Sequence, residues 1–378
     1  MEFKNYKMED IATFSQGKQV EIENQYTEKK ENMKRFLRII DFTNPNEPIR
    51  YVENFGDRYY AKKDDLVMIR YGSQTCGKVV IGKEGIIANN MFKINLDNSI
   101  VLNRYAYYYL KQDIVYNYLR GSQNSSTMPS INFGILNKLE IEVPSIDNQR
   151  KIVKILNDID KKIELNNEIN NNLYEMGDIL YNEYFGKYKD NLPSDYNIVK
   201  LNEVADNFDS KRKPMSSRER EQHRGIYPYY GATSIIDYVD DYIFDDTYLL
   251  MGEDGTVKTD DGYPVLQYIW GKNWINNHAH VLKGKNISTE LLMFALRKIN
   301  IENIITGAVQ PKINQENMNK IEFVIGSDSK NKELEDILKK LMDKSKNIIE
   351  ENKRLEELRD TLLPKLMNGE IDLDKIEL

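Results

Sequence analysis

The chain has 378 residues, 30% of them charged, and a mean hydropathy of −0.63, which predicts a soluble protein of two or three domains. Its single cysteine, Cys76, excludes an internal disulfide framework and a cysteine-rich zinc site. No apolar run approaches the roughly 20 residues of a membrane span, and no apolar leader follows Met1, so we expect a cytoplasmic protein without a membrane contact. The net charge of −7 does not exclude nucleic acid, because most of the excess lies in two predicted helices and the tail.

One sequence pattern occurs twice in the chain. Lys138-Leu139-Glu140-Ile141 returns as Lys320-Ile321-Glu322-Phe323, and each copy precedes a long charged helical stretch. The opening of the first copy, residues 7–12, returns as residues 200–205, and Asn89-Asn90 lies near the place of Asn276-Asn277. A period near half of the chain is too long for a solenoid. It predicts a duplicated domain-plus-helix unit with pseudo-twofold symmetry.

Residues 1–146 are predicted to form the first mixed α/β domain. Apolar runs predict strands at residues 66–69 and 79–81, and residues 102–119 are predicted to be one helix that stops at Gly121. Residues 72–78 match the G-x-x-x-x-G-K start of a P-loop. However, Val79 stands where a hydroxyl is required and a strand follows, so we predict a hairpin turn and no ATP site there.

Residues 147–185 are predicted to form a long central helix. Apolar and asparagine side chains recur along it every three or four residues, which predicts a seam on one helix face. The predicted seam runs through Ile152, Ile155 or Leu156, Ile159, Ile163, Asn166, Ile169 or Asn170, Leu173, Met176, Leu180 and Tyr184. Residues 186–199 are predicted to be a linker.

The second half repeats this organisation, with a second domain at residues 200–327, a helix at 328–370 and a tail at 371–378. A helix is predicted at residues 288–298, with Ser288 or Thr289 as its N-cap. The long helix is predicted to break near Pro364 and carries its own seam. Since neither seam could be buried by its own domain, we expect the two helices to pack antiparallel, with Asn166 and Asn352 helping to set the register.

No catalytic or metal site emerges from the sequence. His278 and His280 could lie on one face of a strand, but His223 is the only other histidine, so we predict no metal site. No hydrolase, metalloprotease or dinucleotide-binding motif is present. We therefore predict a chain that is not an enzyme and that binds no cofactor directly.

Basic and amide side chains in loops are the candidate DNA contacts. Arg and Lys suit phosphates, and Arg, Gln and Asn can also address base edges in the major groove. In the second domain the candidates are Lys211, Arg212, Lys213, Arg218, Arg220, Arg224 and Tyr230. In the first domain they are Lys34, Arg35, Arg70, Ser73, Gln74, Arg120, Gln123 and Asn124.

Three segments resemble the specificity subunits of type I restriction–modification systems. Residues 143–152, Val-Pro-Ser-Ile-Asp-Asn-Gln-Arg-Lys-Ile, are similar to the start of the central helix in that family. Residues 226–233 with 240–244 resemble a frequent variant of its target recognition domain, and residues 358–371 resemble its usual C-terminal ending. One departure is visible, since Gly326-Ser327-Asp328-Ser329 replaces the proline-containing start before the second helix.

The resemblance implies an α+β protein in which two duplicated mixed α/β target recognition domains are separated by a long antiparallel two-helix coiled coil. Each domain would read one half of a bipartite target in double-stranded DNA, and the helices would set the spacing. By the same resemblance, two methyltransferase subunits would dock on the helices and restriction subunits would join through them. These partners would bring S-adenosylmethionine, ATP and Mg²⁺.

Two other functions remain open at this stage. The chain could be a stand-alone DNA adenine methyltransferase or nuclease with unrecognised motifs. It could also be a duplicated coiled-coil scaffold that binds only protein.

Overall fold

The computed structural model describes residues 2–44, 47–72, 75–121, 130–307 and 310–376. The chain divides into two compact units. The first unit comprises Met1–Glu164 with Asn352–Leu378, and the second comprises Leu165–Glu351. Among the described residues, no helix combines the length and the apolar character needed to cross a membrane.

The first domain contains ten described strands and short helices, and the first long helix follows it. The strands are β1 (Phe3–Lys7), β2 (Ala12–Gln16), β3 (Met33–Leu37), β4 (Arg50–Glu53), β5 (Tyr60–Ala61), β6 (Leu66–Ile69), β7 (Val79–Val80), β8 (Gly85–Ile87), β9 (Met91–Leu96) and β10 (Glu140–Pro144). The helices are α1 (Met8–Ile11), α2 (Ile40–Thr43), α3 (Asn103–Lys111), α4 (Asp113–Gly121), α5 (Phe133–Asn137) and α6 (Ile146–Tyr184).

The second domain contains the same order of described strands, and the second long helix follows it. The strands are β11 (Asn197–Lys200), β12 (Ala205–Asn207), β13 (Arg224–Tyr230), β14 (Ile235–Val239), β15 (Phe244–Asp245), β16 (Tyr248–Gly252), β17 (Leu266–Ile269), β18 (Lys272–Ile275), β19 (Ala279–Gly284) and β20 (Glu322–Ile325). The helices are α7 (Leu201–Val204), α8 (Ser217–Gln222), α9 (Thr289–Leu296), α10 (Gln315–Met318) and α11 (Asp328–Met367).

The sheets confirm the duplication strand by strand. An antiparallel pair, β1–β10, in the first domain corresponds to β11–β20 in the second. The sheet β2–β9–β6–β7 corresponds to β12–β19–β16–β17, and β4–β3–β8–β5 corresponds to β14–β13–β18–β15. Each of the last two sheets contains one parallel pair, in which Leu37 lies opposite Ile87 and Tyr230 lies opposite Ile275. The predicted α+β fold with two duplicated mixed domains is therefore confirmed.

The long helices pack antiparallel within each unit. In the first unit, Arg359 near the end of α11 donates to Asp160 near the start of α6, at 3.0 Å. In the second unit, Tyr184 at the end of α6 donates to Glu333 near the start of α11, at 2.8 Å. Buried and half-buried seam positions together recur every three or four residues on both helices, as predicted. The buried members include Ile152, Leu156, Asn166, Asn170 and Leu173 on α6, and Leu334, Leu338, Ser345, Ile348, Asn352 and Leu363 on α11.

Met176 is the seam position that the sequence assigned wrongly. Its side chain is 49% exposed, whereas Gly177 is buried and lies against the ring of Phe294 on α9. Because Gly177 has no side chain, α6 and α9 can approach each other closely at this position. A search for periodic apolar residues passes over such a glycine, because glycine carries no apolar side chain to detect.

Two predicted helix boundaries were also wrong. Residues 102–119 form two helices, because Gln112 has an extended backbone (ψ 136°) and ends α3. Its side chain is buried and donates to the carbonyl of Tyr109 at 3.2 Å. The helix α11 does not break at Pro364 but continues to Met367. Pro364 is exposed and lies in the last turn, so only one nearby carbonyl loses its backbone donor. Ser288 is the N-cap of α9, as predicted.

Candidate nucleic-acid interface

Loops of the first domain converge at the end of β6. The backbone N–H of Arg70 donates to Asn90 O at 2.8 Å, and Ile131 N–H donates to Arg70 O at 3.0 Å. Tyr71 forms an antiparallel bridge with Ser130. The segment that follows β6 therefore lies beside the segments around Asn90 and Ser130. Tyr71 and Ser130 are described residues that flank the two loops predicted to contact bases, and they lie side by side here.

The Arg70 side chain is held by aromatic rings at this place. Its guanidinium lies 5.0 Å from the centre of the Tyr71 ring and 6.0 Å from that of Phe133. The side chain is half-buried, and its Nε is shielded from solvent without a hydrogen-bond partner. Among the described residues, no carboxylate lies within salt-bridge distance of it. The Oδ1 atom of the neighbouring Asn90 is likewise shielded and unpaired.

The equivalent strand end in the second domain carries an acid. Glu253 N–H donates to His278 O at 2.9 Å, and Ile313 N–H donates to Glu253 O at 2.8 Å. Asp254 bridges Lys312 as Tyr71 bridges Ser130 in the first domain. Since these backbone bonds match one for one, Glu253 occupies the position of Arg70. The two domains thus present opposite charges at equivalent positions.

Arg212 neutralises this acid from within the domain. Its guanidinium donates to Glu253 Oε2 at 2.6 Å and to Ala279 O at 2.7 Å, and its Nε donates to Asp209 O at 3.1 Å. Lys312 lies 3.2 Å from the other oxygen of Glu253. Burial would by itself raise the pKa of Glu253, but the Arg212 hydrogen bond and the nearby cations hold that pKa below its ordinary value. The arginine is 12% exposed and ties separate segments of the domain together.

His280 completes the network. Its Nε2 faces the carbonyl of Ile313 at 2.9 Å, and its Nδ1 faces Asp209 Oδ2 at 2.6 Å. Both of these partners are hydrogen-bond acceptors. Asp209, Glu253 and His280 present ligand atoms within 4.8 Å of one another. Both ring nitrogens of His280 already face protein acceptors, and Arg212 pairs with both acids, so the contacts are those of an ion-pair network rather than those of a metal centre. His278 binds a different acid, Asp254, at 2.6 Å.

The basic cluster of the second domain separates into two groups. Arg212 and Arg220 are engaged inside the domain, and Arg220 donates to Asp237 at 3.0 Å and to Met215 O at 2.8 Å. The other four side chains are exposed, and no ion pair joins them to a described residue within 4.0 Å. These are Lys211, Lys213, Arg218 and Arg224. Their contact with phosphate stays a prediction.

The remaining predicted contacts are distributed over both domains. Lys34 lies over the Tyr60 ring, and Arg35 pairs with the buried Asp41 at 3.4 Å. Arg120 is exposed and lies over Tyr116 at 5.6 Å. Tyr230 is half-buried, and burial raises its pKa to about 12. Ser73, Gln74, Gln123 and Asn124 lie outside the described residues.

The acids that engage these arginines could not be picked out from the sequence. Asp41, Asp209 and Glu253 were not singled out, because each is one of 60 acidic residues. The near-match of Asn89-Asn90 with Asn276-Asn277 was the one sequence signal for the segment that lies beside Arg70 in the first domain and beside Glu253 in the second. In the structure, the backbone bonds shift this alignment by one residue, so that Asn90 corresponds to His278.

The second unit also carries an exposed apolar stripe on α6. Leu165, Ile169, Met176 and Ile179 are 46%, 39%, 49% and 62% exposed. Their spacing places them on one helix face, apart from the buried seam, over about 21 Å at 1.5 Å per residue. Exposed apolar side chains grouped in this way are typical of a surface that binds another protein.

Two copies of one recognition domain, each followed by a long helix of an antiparallel pair, define the class of protein. The family model described as the type I restriction modification DNA specificity domain matches the chain twice, over residues 1–175 and 193–359. The chain therefore belongs to the type I restriction–modification DNA specificity family.

Individual relatives agree with this assignment. The chain is 34% identical over 126 residues to a putative type I restriction enzyme specificity subunit of Haemophilus influenzae, a match that covers 33% of this chain and 32% of that protein. It is 26% identical over 168 residues to the MjaVIII specificity subunit of Methanocaldococcus jannaschii, covering 42% of this chain and 39% of that one. Each match thus spans less than half of the relative. The crystal structure of a type I S subunit from M. genitalium has the same fold, with a TM-score of 0.58 and 19% identity over 97% of this chain and 96% of that chain.

Proposed function

We propose that this chain is the DNA-specificity subunit of a type I restriction–modification complex. Each recognition domain contacts one half of a bipartite target in double-stranded DNA. The duplicated sheets carry this proposal, because two equivalent domains present two equivalent sets of loops. The strand ends that face those loops differ, with Arg70 in one domain and Glu253 in the other. Unequal domains read unequal half-sites.

Phosphate contacts would supply much of the affinity in this function. The four exposed cations Lys211, Lys213, Arg218 and Arg224 support it in the second domain. Such contacts orient a protein on DNA but carry no sequence information. The acidic net charge of −7 is compatible with this, because part of the acid in the second domain is neutralised internally by Arg212 and Arg220.

The chain acts without catalysis of its own in this proposal. Two methyltransferase subunits dock on the long helices, and restriction subunits join through them. These partners supply S-adenosylmethionine, ATP and Mg²⁺. The apolar stripe from Leu165 to Ile179 on α6 supports a protein partner on the helices, because such a face is costly to leave in water.

Methylation mapping tests the proposal. The chain is expressed with its methyltransferase partner in a host that lacks adenine methylation, and modified adenines are mapped across the genome. We expect one bipartite motif with a fixed gap and two different halves. Methyl transfer by the purified chain with S-adenosylmethionine alone would instead support a stand-alone methyltransferase. A complex that binds the partner but no specific DNA would support a protein scaffold.

A further inference from the structure

The unpaired state of Arg70 requires an explanation that folding alone does not supply. A half-buried guanidinium is costly unless its donors are satisfied. At the equivalent position in the second domain, Glu253 has two cationic partners within 3.2 Å. Elsewhere in the first domain, Arg35 and Arg38 share the buried Asp41. Arg70 has neither a carboxylate nor a hydrogen-bond acceptor for its side chain among the described residues.

The described residues around Arg70 orient its side chain but do not accept hydrogen bonds from its guanidinium. The guanidinium lies over the rings of Tyr71 and Phe133, which leaves its terminal amino groups available. The shielded Nε lies on the inner side. A guanidinium stacked on aromatic rings is pre-organised, so little conformational entropy is lost when it binds. Arginine donates two parallel hydrogen bonds to O6 and N7 of guanine in the major groove, and this geometry is unique to a G·C pair.

We propose that Arg70 reads a guanine in the half-site of the first domain, and that the second domain makes no such contact at the equivalent position. This inference rests on the proposed function. In the second domain Glu253 is held by Arg212 and Lys312, so another element of that domain must read its half-site. Asn90, whose backbone carbonyl accepts from Arg70 N–H, also carries a shielded Oδ1 atom without a hydrogen-bond partner.

The experiment compares three variants in the assembled complex with the methyltransferase. Arg70→Ala removes the side chain, whereas Arg70→Lys keeps the charge but loses the planar pair of donors. Arg104→Ala is the matched control in the same domain, since Arg104 pairs with Asp64 on the surface at 3.5 Å. Thermal unfolding of each complex is measured alongside methylation mapping. Should Arg70→Ala fail to fold, Arg70→Lys decides.

We expect both Arg70 variants to lose discrimination at one G·C pair of one half-site. The expected loss is roughly 10- to 100-fold, with the other half-site and the gap unchanged. Arg104→Ala should keep the wild-type motif. The inference is overturned if Arg70→Lys retains the motif at full strength, since a phosphate contact needs only the charge. It is also overturned if the relaxed position is an A·T pair, or if neither half-site contains a G·C pair. A wild-type complex that modifies no defined site would overturn the proposed function itself.

Discussion

Gly177 of α6 lies so close to Phe294 of α9 that a β-carbon would overlap the phenyl ring. The ring is 1% exposed, and Arg297 on the same helix donates to Asp178 at 2.8 Å. A glycine in the middle of a 39-residue helix is unfavourable by itself, by roughly 1 kcal/mol relative to alanine. This glycine is therefore explained by packing, because it lets the long helix approach the recognition domain of the second unit.

Gly177→Ala should destabilise the protein despite its better helix propensity. Overpacking costs about 1–3 kcal/mol, which exceeds the gain of roughly 1 kcal/mol in propensity. We expect the free energy of unfolding in urea to fall by about 1–2 kcal/mol. Asn172→Ala, at an exposed position of the same helix, is the control and should be neutral or slightly stabilising. The same substitution is also made in a Phe294→Ala background. If it lowers the free energy of unfolding there by as much as in the wild type, the packing explanation is wrong.

The two groups within the basic cluster should respond differently to alanine. Arg212→Ala removes the cation nearest to Glu253 and a second cation beside Asp209, so the free energy of unfolding should fall by about 3–5 kcal/mol. The exposed Lys211 and Lys213 should have little effect on unfolding when replaced. Urea titrations of the Arg212→Ala protein and of the Lys211→Ala/Lys213→Ala protein make the comparison. Equal stabilities would show that Arg212 is not a structural cation.

Replacement of the exposed cations should instead weaken DNA binding without changing the motif. Each lost phosphate contact lowers the slope of log K against log salt by about 0.9, since fewer counterions are released. Binding of the assembled complex to specific and unrelated duplexes, at several salt concentrations, measures this slope. The fourfold alanine variant combines Lys211, Lys213, Arg218 and Arg224. A slope that matches the wild type would mean that these side chains form an ordinary solvated surface.

Low pH should lower the stability of the second unit, because the half-buried carboxylates of Asp209 and Glu253 become protonated. Burial opposes ionisation of Asp209, but the hydrogen bond and charge of His280, with Arg212 and the Val281 N–H, keep its pKa below the ordinary value. A carboxyl whose pKa is lowered on folding adds stability above its unfolded pKa, which is near 4, and that stability is lost as pH falls through the folded pKa. The pKa of Glu253 is also lowered in the folded protein, so its contribution to stability is likewise lost as pH falls.

Asp209→Asn tests this dependence. The variant should be less stable than the wild type at pH 7, and the two unfolding free energies should converge as pH falls from about 5 to 2. Asp260→Asn, which alters an exposed acid of the same domain, should follow the wild-type curve. A constant difference between wild type and Asp209→Asn over that range would exclude a stabilising ionised Asp209.

The long helices should determine the gap between the two half-sites. Seven residues inserted into both α6 after Glu164 and α11 after Glu351 keep each seam on its face, because seven residues make about two turns. Each helix lengthens by about 10 Å, which corresponds to roughly three base pairs at 3.4 Å each. Methylation mapping should show a gap longer by that amount. Seven residues inserted at Asp190, beyond the end of α6, are the control and should leave the gap unchanged.

The duplication and the helix pairing could be predicted because both depend on local patterns. A seam with a period of three to four residues appears in any window of the helix, and Lys138-Leu139-Glu140-Ile141 recurs without reference to distant residues. The observed α6 starts one residue before the predicted start, and α11 starts at the predicted residue. Gly177 was missed because its partner, Phe294, is remote in sequence.

The departure at the start of the second helix has a physical reason that only the structure reveals. Gln149 donates to Pro144 O at 3.0 Å and accepts from Leu102 N–H at 2.9 Å. At the equivalent position, Asn331 donates to Gly326 O at 3.1 Å and accepts from Gly326 N–H at 2.9 Å. Gly326 has a backbone N–H, so the short side chain of Asn331 can bind both the N–H and the carbonyl of that one residue. Pro144 has no N–H, so the longer side chain of Gln149 accepts from Leu102 N–H instead. The pairs Pro144–Gln149 and Gly326–Asn331 are thus two ways to satisfy the backbone hydrogen bonds at the start of a long helix.

The sequence by itself determined that this chain has two recognition domains, two paired helices and a cluster of cations in the second domain. Only the tertiary structure decided which cations are neutralised. Arg212 contacts Glu253, which is 41 residues away along the chain, and Ala279, which is 67 residues away. Among the described residues, the Arg70 guanidinium instead lies over the rings of Tyr71 and Phe133 and has no acid beside it. Charge along a sequence is a local property, but the partner of a buried charge is chosen by the packing of strands that are remote in sequence.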